Sequence, residues 1–127
     1  MNLLDENIED EHWHTLLGWR LHVRKIGKDF GRLGMSDEEI IPLLHRSKSV
    51  TFFTYDIDYF RPRLCHVRYC LVRLVPDLGK IAETIQKFLR HPEFRTWKQR
   101  QGKVIQVAPE DMVVWSVKAQ KPHIVMW

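Results

Sequence analysis

The chain has 127 residues, of which 44% are hydrophobic and 28% charged. That length encloses one sizeable core, so a single domain over residues 1–127 is expected, and the composition excludes disorder and low complexity. The net charge of +4 is compatible with a phosphate-bearing partner but says little until its distribution is known.

Asn2 to Leu4 is a short apolar run that ends abruptly at Asp5-Glu6-Asn7, as a buried first strand with acids at its carboxyl end would. From Glu9 to Leu17, Trp13, Leu16 and Leu17 recur at helical spacing, and Gly18 is the expected stop. Arg20 to Arg24 alternates polar and apolar and predicts a second strand. Ile26 to Met35, with Gly27, Gly31 and Gly34 among Lys28 and Arg32, is expected to be a flexible basic loop. Ser36-Asp37-Glu38-Glu39 then precedes Ile40, Ile41, Leu43 and Leu44, a capping-box start for a helix that ends near Arg46.

Val50 to Thr54 is β-branched and aromatic without alternation, which suits a strand buried on both faces, and it stops at Tyr55-Asp56-Ile57-Asp58. Cys70 to Val75 predicts another strand, closed by Pro76, and Ile81 to Leu89 a helix with Ile81, Ile85, Phe88 and Leu89 on one face. Lys103–Val107 and Met112–Val117, around Ala108-Pro109-Glu110-Asp111, predict a hairpin. The apolar tail from Pro122 to Trp127 is expected either to dock on the body or to meet another chain. This order of elements predicts an α/β sandwich with a mainly parallel sheet.

No stretch approaches the roughly 18 apolar residues of a membrane span, and the first residues do not read as a signal peptide. Cys65 and Cys70 are too few for a disulfide framework and lack zinc-knuckle spacing, so reduced thiols in the cytoplasm are expected.

Acids that end different parallel strands can converge although distant in sequence, because ligands bind at the carboxyl ends of such strands. Converging carboxylates repel unless protons or cations neutralise them, and a hard divalent cation, Mg²⁺ or Mn²⁺, suits oxygen ligands. Asp5 and the Asp56/Asp58 pair are such acids. Asp37 has a purely structural reading too, as a first-turn acid favoured by the helix dipole. Basic residues follow the acids, from Arg61 to Arg73 and from Lys87 to Lys103. Arg61, Arg63 and Arg68, beside Tyr59 and Phe60, could grip a phosphate backbone and stack an unpaired base, with Lys28 and Arg32 adding to the same surface. His12-Trp13-His14 points to different helix faces and is read as surface histidines.

Three segments in order, Leu3-Leu4-Asp5-Glu6-Asn7, Ser36-Asp37-Glu38-Glu39-Ile40 and Thr54-Tyr55-Asp56-Ile57-Asp58-Tyr59-Phe60, resemble a PIN-like family described as a domain of unknown function. The resemblance covers residues 2 to 117; Tyr59 stands ahead of that pattern's Phe, and the segment after Phe60 is short and basic. It implies a PIN-like three-layer α/β/α sandwich with a C-terminal hairpin and a Mg²⁺- or Mn²⁺-dependent endoribonuclease site. Asp5 and Asp56 would be core ligands, Asp37 would lean in from its helix, Asp58 would hold the metal directly or through water, and Thr54 would orient a carboxylate or a water. Many such relatives look like toxins of toxin–antitoxin pairs, so the implied partners are RNA and a small DNA-binding antitoxin. Domains of this size often dimerise, so a second copy in a homodimer is a further expected partner. The competing readings are an inactive PIN-like module that binds RNA or protein, and a receiver-like phosphoacceptor, which would need a lysine closing a late strand where Lys103 instead precedes one.

Overall fold

A computed structural model describes residues 1–76 and 79–127. Its strands are β1 (Asn2–Leu4), β2 (Val23–Lys25), β3 (Val50–Thr54), β4 (Tyr69–Leu74), β5 (Lys103–Val107), β6 (Asp111–Ser116) and β7 (His123–Met126). The helices are α1 (Asp10–Gly18), α2 (Asp37–Arg46), α3 (Ile81–Arg90) and α4 (Trp97–Arg100). The seven strands form one sheet in the order β2-β1-β3-β4-β5-β6-β7. The first five are parallel, and β6 and β7 add antiparallel. The result is the expected three-layer α/β/α sandwich, extended past the β5–β6 hairpin by a second one, β6–β7. Among the described residues, no helix is long and apolar enough to cross a membrane.

The alternation of side chains along each strand sorts the core into two layers. Leu4, Phe53, Val72 and Ile105 are in register and face α1 and α3. Leu3, Phe52, Leu71 and Val104 face the other way, toward α2 and the loop that joins β3 to β4. Because β3 is buried along its whole length on both sides, its sequence shows no alternation. Phe53 meets Phe88 of α3 edge to face and Phe52 meets Tyr59 the same way, with ring centroids 5.9 and 5.2 Å apart.

The crossovers explain which faces are covered. The chain moves from β2 to β3 and from β3 to β4 over one face, then in the same direction from β4 to β5 over the opposite face, through α3. That last crossover therefore has the opposite hand to the two before it, a rare feature among parallel connections. It puts α3 beside α1, and among the described residues no helix covers the other face of β5, β6 and β7. Trp115 and Val113 are half-buried there and Ile124 and Met126 exposed.

The capping box is present: the Ser36 N–H and hydroxyl each lie 3.3 Å from the Glu39 carboxylate. Asp37, Glu38 and Glu39 open α2, and His45 and Arg46 close it, the charge order the helix dipole favours.

Helix α1 does end at Gly18, but Gly18 is not what stops it. The left-handed residue is Arg20, with φ 63°. Leu21 N–H donates to Leu16 C=O and Arg20 N–H to Leu17 C=O, the two bonds of a Schellman motif. A side chain at that position is strained by about 1–2 kcal/mol, against roughly 0.4–1 kcal/mol that a glycine would lose through its freer unfolded chain. Arg20→Gly is therefore expected to stabilise the fold by about 0.5–1 kcal/mol, read as a higher urea midpoint at unchanged slope.

Candidate metal centre at the β1–β3 switch point

The chain leaves β1 toward α1 on one face and leaves β3 toward the β4 loop on the other. The crevice between the two strand ends is the topological switch point, where an open α/β sheet binds its ligands. Three elements deliver acids to it. Asp5 ends β1, Asp56 and Asp58 follow β3, and Asp37 opens α2.

Asp5 is 6% exposed, the most enclosed of the four. Its backbone N–H continues the ladder to Phe53 C=O at 2.9 Å. One carboxylate oxygen accepts from the Thr54 hydroxyl at 2.7 Å and the other from Glu6 N–H at 2.8 Å. The same Thr54 oxygen accepts from Asp56 N–H at 3.1 Å, so one hydroxyl links the ends of β1 and β3. Burial pushes the Asp5 carboxyl above the usual aspartate range, aided by the charges of Glu6 and Asp56 and opposed by the two hydrogen bonds.

Asp37, Asp56 and Asp58 form a separate group at the surface, each offering a carboxylate oxygen within 4.8 Å of the other two. Each has one oxygen held by a donor. Tyr59 Oη donates to Asp37 Oδ1 at 2.7 Å, Asp58 N–H to Asp56 Oδ1 at 2.8 Å, and Arg61 Nη2 to Asp58 Oδ1 at 3.0 Å. The second oxygen of each carboxylate receives no hydrogen bond from the described residues. Three oriented carboxylates with three free oxygens can coordinate a hard divalent cation, which accepts such ligands and retains waters besides. Asp5 is not one of the three; each of its oxygens accepts one hydrogen bond, from the Thr54 hydroxyl and from Glu6 N–H.

Tyr59 was open to a role in base stacking, but it is 2% exposed and its ring lies on Phe52. Burial, and then the Asp37 carboxylate, hold its phenol far above the usual range, so it remains a hydrogen-bond donor at any working pH. Nothing in the sequence signals this, because Tyr59 lies in a 3₁₀ turn (Ile57–Tyr59) outside any strand or helix periodicity. Glu6 was likewise missed as a tether. Its two oxygens accept Gly34 N–H at 3.1 and 3.2 Å and bind the basic loop to the end of β1.

The basic residues divide. Arg61 and Arg63 line an open groove with Asp37, Glu38, Ile41 and Asp58, beside the acidic group. Arg68 does not lie there. It precedes β4 next to Val50, the first residue of β3, so it sits roughly 16 Å from the Thr54 end, five residues of strand away. Its guanidinium donates to His45 C=O at the far end of α2. Arg32 is paired with Glu39 and Lys28 with Asp10 at the surface.

No family model, curated protein or solved structure matches the chain. The acidic triad on an α/β sandwich is consistent with a PIN-like or a similar metal-binding fold.

Because folded Asp5 holds its proton more tightly than the unfolded chain does, its contribution to stability is largest below the unfolded pKa and declines as pH rises through the folded one. A carboxyl ¹³C titration of the metal-free protein is expected to place Asp5 above the usual aspartate range. Asp56→Asn, by removing a repelling charge, is expected to bring it down.

Proposed function

We propose that this protein is a Mg²⁺- or Mn²⁺-dependent ribonuclease that hydrolyses RNA phosphodiester bonds at the Asp37/Asp56/Asp58 group. The observation that carries the reading is the set of three carboxylates from two different elements, each with one oxygen fixed and one free. A divalent cation bound there would lower the pKa of a coordinated water and offset charge developing on the phosphoryl oxygens.

The chain's own residues do the rest. Tyr59 holds Asp37 in place from below, and the Asp56 carboxylate, by accepting Asp58 N–H, fixes the turn that presents Asp58. Asp5 and Thr54 keep the ends of β1 and β3 in one register and present Asp56 from beneath. Arg61 and Arg63 would bind the phosphates flanking the scissile one, where Arg can engage two oxygens at once. The role as toxin of a toxin–antitoxin pair, with a small DNA-binding antitoxin as partner, belongs to the same reading and is supported by the family resemblance alone.

One observation favours a second reading. Arg61 already pairs with Asp58 and neutralises part of the acidic charge, as a non-catalytic RNA- or protein-binding module would need. A receiver-like phosphoacceptor shares the strand order β2-β1-β3-β4-β5. Its lysine is missing, however, because Lys103 opens β5 at the end remote from Asp56 and β5 closes on Val107-Ala108.

Incubation of a mixed RNA pool with Mg²⁺ or Mn²⁺ tests the proposal. Cleavage is expected with wild type, abolished by EDTA and reduced by Asp56→Asn by about 100-fold or more, since losing even a supporting partner of a ligand costs about 10–100-fold. Tyr59→Phe, which frees Asp37, is expected to weaken Mn²⁺ binding by about 10–100-fold in calorimetry. RNA binding without cleavage, unaffected by EDTA, would establish the binding module instead.

A further inference from the structure

The two edges of the sheet are unlike. β2 is three residues long and carries Arg24 and Lys25, the kind of charged, short edge that resists pairing. β7, His123-Ile124-Val125-Met126, is also short but carries no Lys, Arg, Asp or Glu, with Ile124 64% and Met126 63% exposed.

Ala108 N–H donates to Asp111 C=O at 3.0 Å, which makes these residues the bonded pair closing the β5–β6 hairpin. In an antiparallel ladder the bonded direction alternates, so the backbone groups of Met112 and Val114 turn toward β7, where they meet Val125 and His123. Those of Ile124 and Met126 therefore point outward from the sheet. Of these, the Met126 carbonyl is already satisfied by His91 Nε2 at 2.9 Å. Among the described residues, no hydrogen bond reaches the N–H or C=O of Ile124 or the N–H of Met126.

We propose that β7 pairs with β7 of a second copy of this chain, antiparallel about a two-fold axis at Ile124, joining the two sheets edge to edge. In that register each Ile124 exchanges both bonds with its counterpart, and each Met126 N–H donates to the Pro122 carbonyl of the other copy. The one position in this ladder that lacks a donor is Pro122, which has no N–H. It falls opposite the one carbonyl that needs none, Met126. The edge is thus complementary to itself, as an isologous contact requires.

Side chains agree. Ile124 lies against Ile124 and Met126 against Pro122, on the face that carries Val113 and Trp115 and has no helix of its own. Charges agree as well. The pairing brings the β6–β7 turn of one copy, with Lys118 and Lys121, to the end of the other sheet that holds Glu110 and Asp111. This inference is independent of the metal-site reading.

Sedimentation equilibrium of the full chain is expected to give a concentration-dependent mass reaching twice 15.3 kDa. Ile124→Lys is expected to raise the dissociation constant roughly 100-fold or more by removing two apolar contacts and opposing two like charges, with an unchanged circular dichroism spectrum. Lys121→Glu and Glu110→Lys should each weaken the dimer and the double exchange should restore it. In hydrogen exchange the Ile124 amide should be protected in the dimer and open on dilution. A wild type that stays monomeric at all concentrations, or a dimer in which the Ile124 amide exchanges freely, would overturn the proposal.

Discussion

The hydroxyl of Thr54 holds the carboxylate of Asp5 and the backbone of Asp56 at once, and the rest of the acidic region is built outward from that contact. A carboxylate taken out of water costs several kcal/mol unless donors replace the solvent it has lost. Asp5 receives two donors, from Thr54 and Glu6, and both belong to segments whose positions matter. Thr54 ends β3, so the bond fixes the register of the strand whose continuation bears Asp56 and Asp58. Glu6 reaches across to Gly34 and brings the basic loop toward the start of α2, where Asp37 lies. A single buried acid therefore sets the position of the three exposed ones, and its place beneath them explains why it is absent from the group whose oxygens converge.

The exposed acids are tolerated for a different reason. Each is held by a donor on one oxygen only, and two of those donors cost nothing in charge: the Asp58 amide and the Tyr59 phenol, which burial keeps protonated. Arg61 is the exception, and as a surface pair with Asp58, half-exposed on both sides, it contributes little to stability. It can leave Asp58 at small cost when a cation or a phosphate arrives. At the surface the high dielectric of water weakens the mutual repulsion of the three carboxylates.

Much of this was legible in the sequence, and the exceptions have physical reasons. The bounds of β1, β3 and β5 are legible to the residue because each is a largely apolar run that ends at an acid or at a turn containing Pro109. α2 was read from its capping box. β2 was placed too early, since the left-handed Arg20 belongs to the helix stop rather than to a strand, and a non-glycine residue in that conformation leaves no mark in composition. β7 was read only as an apolar tail, because a four-residue edge strand with one face in water has neither the length nor the alternation to announce itself. Buried Lys25 was unforeseen for the same kind of reason: its ammonium is paired with Asp10 at 2.5 Å, a contact between residues 15 apart that no local pattern encodes. At the site, the acids could be found because strand ends collect them. Their division into one buried acid and three at the surface could not, since it depends on Tyr59 and Thr54 side chains whose direction only the fold determines.

The reversed hand of the β4–β5 crossover connects the two ends of the molecule. Had α3 passed over the other face, it would have covered Val113 and Trp115 and crowded the β7 edge from that side. By lying beside α1 it instead seals the face formed by Phe53, Val72 and Ile105, and its last turn delivers His91 to the Met126 carbonyl. The edge that remains is short and apolar, with its surplus acceptor already used. The acidic group lies between β1 and β3, four to five strand spacings or roughly 19–24 Å from β7. Pairing at β7 would therefore leave both acidic grooves open, at opposite ends of a joined sheet because the two-fold inverts strand direction. Contact with another copy and access for a ligand are thus served by opposite sides of one sheet and place no demand on each other.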